Sequence, residues 1–263
     1  MSISKTWDIY KKSFSLSVSS WMVYRFNFFL YLASVAFVNL FVPMIVYLIY
    51  YNGLSFAGWT LYEALLLLGT FTLVGGISSV TTSSVSWATY NDIRDGTFDN
   101  LLIRPFSPLK QLIIRIPEVE EFPSSILGIL IIIFSIYKLD ITLSVFNVLL
   151  YILLILLGVV FLASMDIFAG SLSFIFVNAS AIKNLFWDAT SFAKYPLSIY
   201  GATGTIIFTF VLPIGLMAFY PTEALLGRLS MNVVLLGSVA FAFLGASLVA
   251  WHFAIRRYVS VGG

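Results

Sequence analysis

Cysteine is absent from this sequence and histidine occurs once, as His252. The first absence excludes a disulfide framework, a thiolate metal site and a cysteine nucleophile. The second excludes a cluster of histidine ligands, so no metal site is expected. A Ser-His-Asp arrangement has no histidine to build on away from residue 252. His252 itself falls near the end of an apolar run and reads as an interfacial structural residue. No GxxxxGK[ST] phosphate loop occurs, so the chain does not bind ATP through one. No catalytic residue and no cofactor of the chain's own is expected.

Charge is also scarce. Charged residues make up 10% of the chain, where a soluble globular domain carries roughly 25%. In their place stand 60% hydrophobic and 17% aromatic residues, with a mean hydropathy of +1.00. So little charge cannot furnish a water-facing surface over 263 residues. The net charge of +2 says little about partners; membrane lipid is expected as one and nucleic acid is not.

Apolar runs of about 18 residues or more with few charges read as transmembrane helices. Six candidates occur, at about 24–50, 59–89, 124–137, 143–166, 201–220 and 232–255. The expected fold is therefore all-α, a polytopic membrane protein with about six transmembrane helices in a single domain over 1–263. The second run is too long for one crossing, so it is tilted or reaches into the cytoplasm. The third is too short, and its missing turns come from 118–123 or from a helix broken at Pro117 and Pro123.

Residues 1–22 lack the compact apolar core and cleavage site of a signal peptide. They place Trp7, Tyr10, Phe14, Val18 and Trp21 at helical spacings, with Lys5, Lys11 and Lys12 mostly elsewhere. That pattern predicts an amphipathic helix lying in the membrane interface; a polar tail that carries aromatics is the alternative. With the N-terminus inside, inner segments hold twelve of the 14 Lys and Arg residues, and outer ones only Lys138 and Arg228. The positive-inside rule then puts both termini in the cytoplasm.

Two acids fall within the runs, Glu63 and Asp166. Intramembrane acids raise a proton- or ion-coupling role by default, but both sit near a membrane boundary, where water or a cation reaches them. The stretch SSVTTSSVS, 78–86, has seven Ser/Thr in nine positions. Ser79, Thr82, Ser83 and Ser86 serve either close helix packing or a hydrated face lining a passage. In GLMAFYPTEALLGRLS, 215–230, short re-entrant pieces and a plain outer loop are both open.

Seven of the chain's charged residues gather in NDIRDGTFDNLLIRPFSPLKQLIIR, 91–115, between the second and third runs. Gly96 permits a sharp bend after Asp95. Phe98, Leu101 and Leu102 then share an expected apolar face. Helical geometry is disfavoured before proline, so Arg104-Pro105 ends this piece, and Ser107-Pro108 restarts a helix as cap and first turn. Such a capped pair can carry force between a soluble partner and the spans; an ordinary positive inner loop is the alternative.

GTFDNLLIRPFSPL, 96–109, resembles the inner-loop signature of the ABC (ATP-binding cassette) type-2 transporter permeases. AKYPLSIYG, 193–201, and LPIGLMAFYP, 212–221, resemble that family's stretch before and through its fifth span. AIRRYVSVGG, 254–263, is similar to its closing segment, with Val259 as a departure. The matches come in the family's order and cover essentially the whole chain. The resemblance implies the permease subunit of an ATP-driven exporter in a prokaryotic plasma membrane. It implies pairing with an identical or sister permease, and two separately encoded cytoplasmic ABC ATPases that hold the ATP and Mg. The inner loop, 90–123, is implied to be the coupling element. Within it Arg94, Asp95, Asp99 and Arg104 make polar contacts, Phe98, Leu101 and Leu102 pack, and Gly96, Pro105 and Pro108 set the angle. The N-terminal helix is an implied second contact with the ATPase. Rival readings are an autonomous ion-coupled carrier or channel and an intramembrane enzyme built on Glu63 or Asp166. The substrate is left open among amphipathic or lipid-like molecules, antibiotics and peptides.

Overall fold

The computed structural model describes residues 10–19, 25–82, 84–115, 121–176 and 179–259. These are helices and their connections. α1 covers 10–19, with Tyr10, Phe14 and Val18 on a half-buried stripe and Lys11 and Lys12 exposed; Trp7 and Trp21 lie outside the described residues. α2 (Arg25–Tyr51) and α3 (Leu61–Thr81) follow, then the short α4 (Ser84–Arg94), α5 (Asp99–Leu102) and α6 (Pro108–Arg115). α7 (Phe122–Leu139) and α8 (Val145–Leu172) come next, then the short α9 (Ala179–Thr190), α10 (Gly201–Ile206) and α11 (Phe219–Leu225), and last α12 (Val233–Ile255). Five helices, α2, α3, α7, α8 and α12, are long and apolar enough to cross a membrane. The protein is a multi-pass membrane protein.

α3 is central and α2 and α12 peripheral, because 61% of the apolar window of α3 is buried against 11% and 17% for the other two. The packing of α3 on α7 depends on small residues. A Cβ on Gly128 would fall 2.6 Å from the Leu73 amide nitrogen, and one on Gly76 would fall 2.5 Å from the Ser125 hydroxyl. Such residues let helix backbones approach closely in a bilayer.

The second apolar run is not one tilted helix. α3 opens with a capping box between Thr60 and Glu63 and stops at Thr81. The Thr82 amide turns back to the Ser78 carbonyl at 2.8 Å, and the Thr81 hydroxyl donates to the Ile77 carbonyl at 2.9 Å. Hydroxyls that bond nearby carbonyls compete with the helix ladder, and the chain restarts as α4. The third run gains its missing turns at its start: Glu121 precedes the helix and Pro123 sits within its first turn.

The expected fifth span, 201–220, is not a continuous helix. α10 widens into a π-helical turn, Ile207–Val211, and stops where Pro213 holds Leu212 at φ −128 and ψ 85. The residue before proline is driven from helical geometry in this way. A 3-10 turn, Ile214–Leu216, and α11 then fold back into the bundle. Ile214, Leu216, Met217 and Ala218 have no exposed surface, so non-helical backbone here is covered by protein, as a bilayer requires.

The segment 177–200 falls between the fourth and fifth apolar runs and so outside the expected spans. Its described part is not a loop but re-enters the bundle. Phe186 of α9 meets Phe168 of α8 edge to face at 5.7 Å. Past the 3-10 turn Ser191–Lys194, Tyr195 reaches Phe56, in the α2–α3 connection, at 5.8 Å. Those two contacts lie toward opposite ends of the bundle. Only Lys183, Asp188 and Lys194 are charged between 179 and 195, so the segment is apolar enough to enter. Lys194 therefore lies inside the bundle, not among loop charges.

Candidate functional site

At one end of the bundle α4, α5 and α6 form a platform. α4 ends at Arg94, and Gly96 at φ +69 turns the chain back with no Cβ to oppose it. Asp92 ties this turn together. Its carbonyl accepts from the amides of Thr97 (2.8 Å) and Phe98 (3.0 Å), and its carboxylate from the Thr97 hydroxyl (3.1 Å) and the Arg115 guanidinium. One buried acid thus holds the end of α4, the start of α5 and the end of α6.

Phe98 is fully buried, with the rings of Phe174 and Tyr258 each 5.0 Å away. Phe174, just past α8, in turn meets Trp251 of α12 at 5.3 Å. Leu101, Leu112, Val85 and Ile167 complete this small core. The Gln111 amide donates to the carbonyls of Leu101 (2.7 Å) and Phe106 (2.9 Å), fixing α6 to the preceding turn. Burial and the neighbouring Asp99 carboxylate both push the Tyr258 hydroxyl pKa up.

The trio expected to share one face is divided. Phe98 and Leu101 point into the chain's own core, whereas Leu102 is 45% exposed and joins Ile103 at 82% and Phe106 at 38% on an outward rim. A single-turn helix entered from a left-handed glycine has one inward side, and Phe98 and Leu101 occupy it. Arg94 and Asp95 are exposed and paired at 2.9 Å, with Arg94 also 5.6 Å over the Tyr90 ring. Arg104 and Pro105 are exposed, Asp99 is half-buried, and Pro108 opens α6.

The hydroxyl-rich residues separate by role. Thr82 ends α3. Ser86 donates from its amide (3.1 Å) and its hydroxyl to the Asp166 carboxylate. Asp166 is buried on α8 and lies at the first turn of α4, where the helix dipole favours negative charge. Ser83 lies outside the described residues. Ser79 lines a cleft of about 270 Å³ between α2, α3, the start of α7 and the α9 segment. Phe71 and Trp187 supply its apolar surface, with Asn39, Thr72, Ser124 and Thr190 among the polar groups. Among the described residues its charged lining is Glu121 and Lys194. Among the described residues no group of three or more His, Asp or Glu could hold a metal.

Residues 35–262 match the model of the family described as "ABC-2 family transporter protein". The chain belongs to the ABC-2 transporter family. Neither the curated proteins nor the solved structures compared with it gave a match.

In this membrane component of an ABC-2 transporter, a cluster around Arg228 ties elements together at the end opposite the platform. Arg228 donates to Glu63 (2.9 Å) and Glu223 (2.6 Å) and lies 4.6 Å over the Trp59 ring. Deeper, the Tyr151 and Thr70 hydroxyls bond at 2.8 Å, and Thr222 of α11 approaches Thr70 at 3.5 Å. The re-entrant segment of this ABC-2 protein is thus pinned to α3 and α8. Both acids singled out in the apolar runs are engaged, Glu63 by Arg228 and Asp166 by Ser86. Sequence reading missed Asp92, Tyr258 and Lys194. Asp92 stands one turn ahead of Asp95-Gly96, where an acid can reach the amides beyond the bend, and that spacing was its only signal.

Proposed function

We propose that this ABC-2 protein is the permease subunit of an ATP-driven exporter, working as a dimer with an identical or sister permease on two separately encoded cytoplasmic ABC ATPases. The platform of α4, α5 and α6 is the coupling element and faces the cytoplasm, the protein residing in a prokaryotic plasma membrane with both termini inside. One observation carries the reading. The platform is rooted in the ends of α8 and α12 through Phe98, while Leu102, Ile103 and Phe106 form an apolar rim beside Arg94, Asp95 and Arg104. An outward apolar rim bordered by charge is what a soluble partner docks on, and rigid rooting lets that partner's movement reach the spans.

The test is purification of the tagged chain from its host in mild detergent, with mass spectrometry of what accompanies it. An ABC ATPase near one-to-one stoichiometry is expected, and its loss in Asp95→Lys/Arg104→Glu with membrane insertion intact. A stable oligomer without any ATPase, or normal association in the double variant, would overturn the coupling assignment.

A further inference from the structure

Among the described residues the cleft of about 270 Å³ carries one ammonium and one carboxylate, and the two are not paired with each other. The Lys194 ammonium sits 5.5 Å from the centre of the Phe71 ring, about midway along α3, and among the described residues no carboxylate lies within ion-pair distance of it. The Glu121 carboxylate accepts from the Tyr31 hydroxyl at 2.5 Å and the Ser124 hydroxyl at 3.1 Å, which orient it without neutralising it. Asn39 donates to Ser124 at 3.3 Å and steadies that arrangement. A charge held inside a membrane bundle without a counter-charge marks a functional place, because desolvation is costly unless an opposite charge arrives.

We infer that this cleft receives a zwitterionic amphiphile. The anionic group of its headgroup meets Lys194 and its ammonium meets Glu121. Its apolar part lies against Phe71 and Trp187, which share the cleft with the two charges. A described lining that holds one charge of each sign favours a ligand of the same kind: a plain anion leaves Glu121 unanswered, and a plain cation leaves Lys194 unanswered. The volume is near the lower end of small-molecule sites, enough for a headgroup and the start of a chain. The assignment rests on the permease reading in that it names the class of substrate exported.

The absence of cysteine from the chain makes a direct test available. Ser191→Cys and, separately, Ser79→Cys place a thiol on two different elements lining the cleft, with Ser238→Cys on exposed α12 as control. Maleimide labelling rates are measured in nanodiscs with octylphosphocholine, octyl phosphate or octyltrimethylammonium below their micellar concentrations. Octylphosphocholine is expected to slow labelling at both wall positions at least fivefold and leave Ser238→Cys unchanged, the other two acting weakly. Lys194→Gln abolishes the protection, and Glu121→Gln makes octyl phosphate as protective as octylphosphocholine. Equal protection by all three amphiphiles, or protection that survives Lys194→Gln, overturns the assignment and leaves only apolar partitioning. Labelling needs no ATPase, so site and coupling fail separately: protection without a co-purifying ATPase sinks the permease reading alone, and an assembled complex without protection sinks the site alone.

Discussion

The ring of Phe98, in the turn after α4, meets the ring of Tyr258, just past α12, at 5.0 Å and 64° between planes. Residues 160 positions apart in sequence thereby make one joint: the platform is seated on the last long helix as well as on α8. Burying such a ring fully stabilises the contact, and its removal opens a cavity.

Phe98→Ala is therefore expected to weaken the local packing by about 3–5 kcal/mol without touching the outward rim. The ATPase should still co-purify, while ATP hydrolysis continues with transport reduced at least tenfold in reconstituted vesicles. Normal transport per ATP would sink the view that force passes through this joint.

Asp92 is nearly buried, its side chain 8% exposed, and its partner Arg115 is 49% exposed. Removing one member of a fully buried pair costs about 3–5 kcal/mol. Arg115 keeps half its water, so Asp92→Ala should cost nearer 1–2 kcal/mol. Arg115→Gln should cost less, and the two should be non-additive in a double-mutant cycle followed by thermal unfolding in detergent.

At the α3–α7 crossing, Gly128→Ala sets a Cβ against backbone, 2.6 Å from the Leu73 nitrogen. Overpacking of this kind costs typically about 1–3 kcal/mol, read as a lower unfolding midpoint or loss of the monodisperse peak. Gly75→Ala, with nothing within 4 Å, is the matched control and should be silent.

Arg228 links α11 to the start of α3 through Glu223 and Glu63. Arg228→Ala should speed amide hydrogen exchange in 214–225 and leave α12 unchanged. Arg228→Lys, which keeps charge but not the planar two-sided reach, should fall between. Unchanged exchange in both variants would show that the buried hydroxyl contacts hold the segment alone.

The apolar runs at α2, α8 and α12 were legible because length and composition alone determine them. The bend at Gly96 and the restart at Pro108 were legible for a similar reason, since both residues act on their own backbone. Illegible were the features that depend on a distant partner. Phe98, Leu101 and Leu102 are alike in sequence, and only Phe174 and Tyr258 decide which of them turn inward. Lys194 read as a loop charge because nothing local signals that 179–195 re-enters the bundle. The 201–220 run was apolar enough for a span, yet Pro213 turned it into a folded plug.

The break after Thr81 gives the second crossing a knee. Above it, α3 is locked to α7 by glycine contacts; below it, α4 is fastened to α8 by the grip of Asp166 on Ser86. If the platform is the coupling element proposed above, a push on it turns shin and α8 together about the break after Thr81, while the thigh stays where its neighbours hold it.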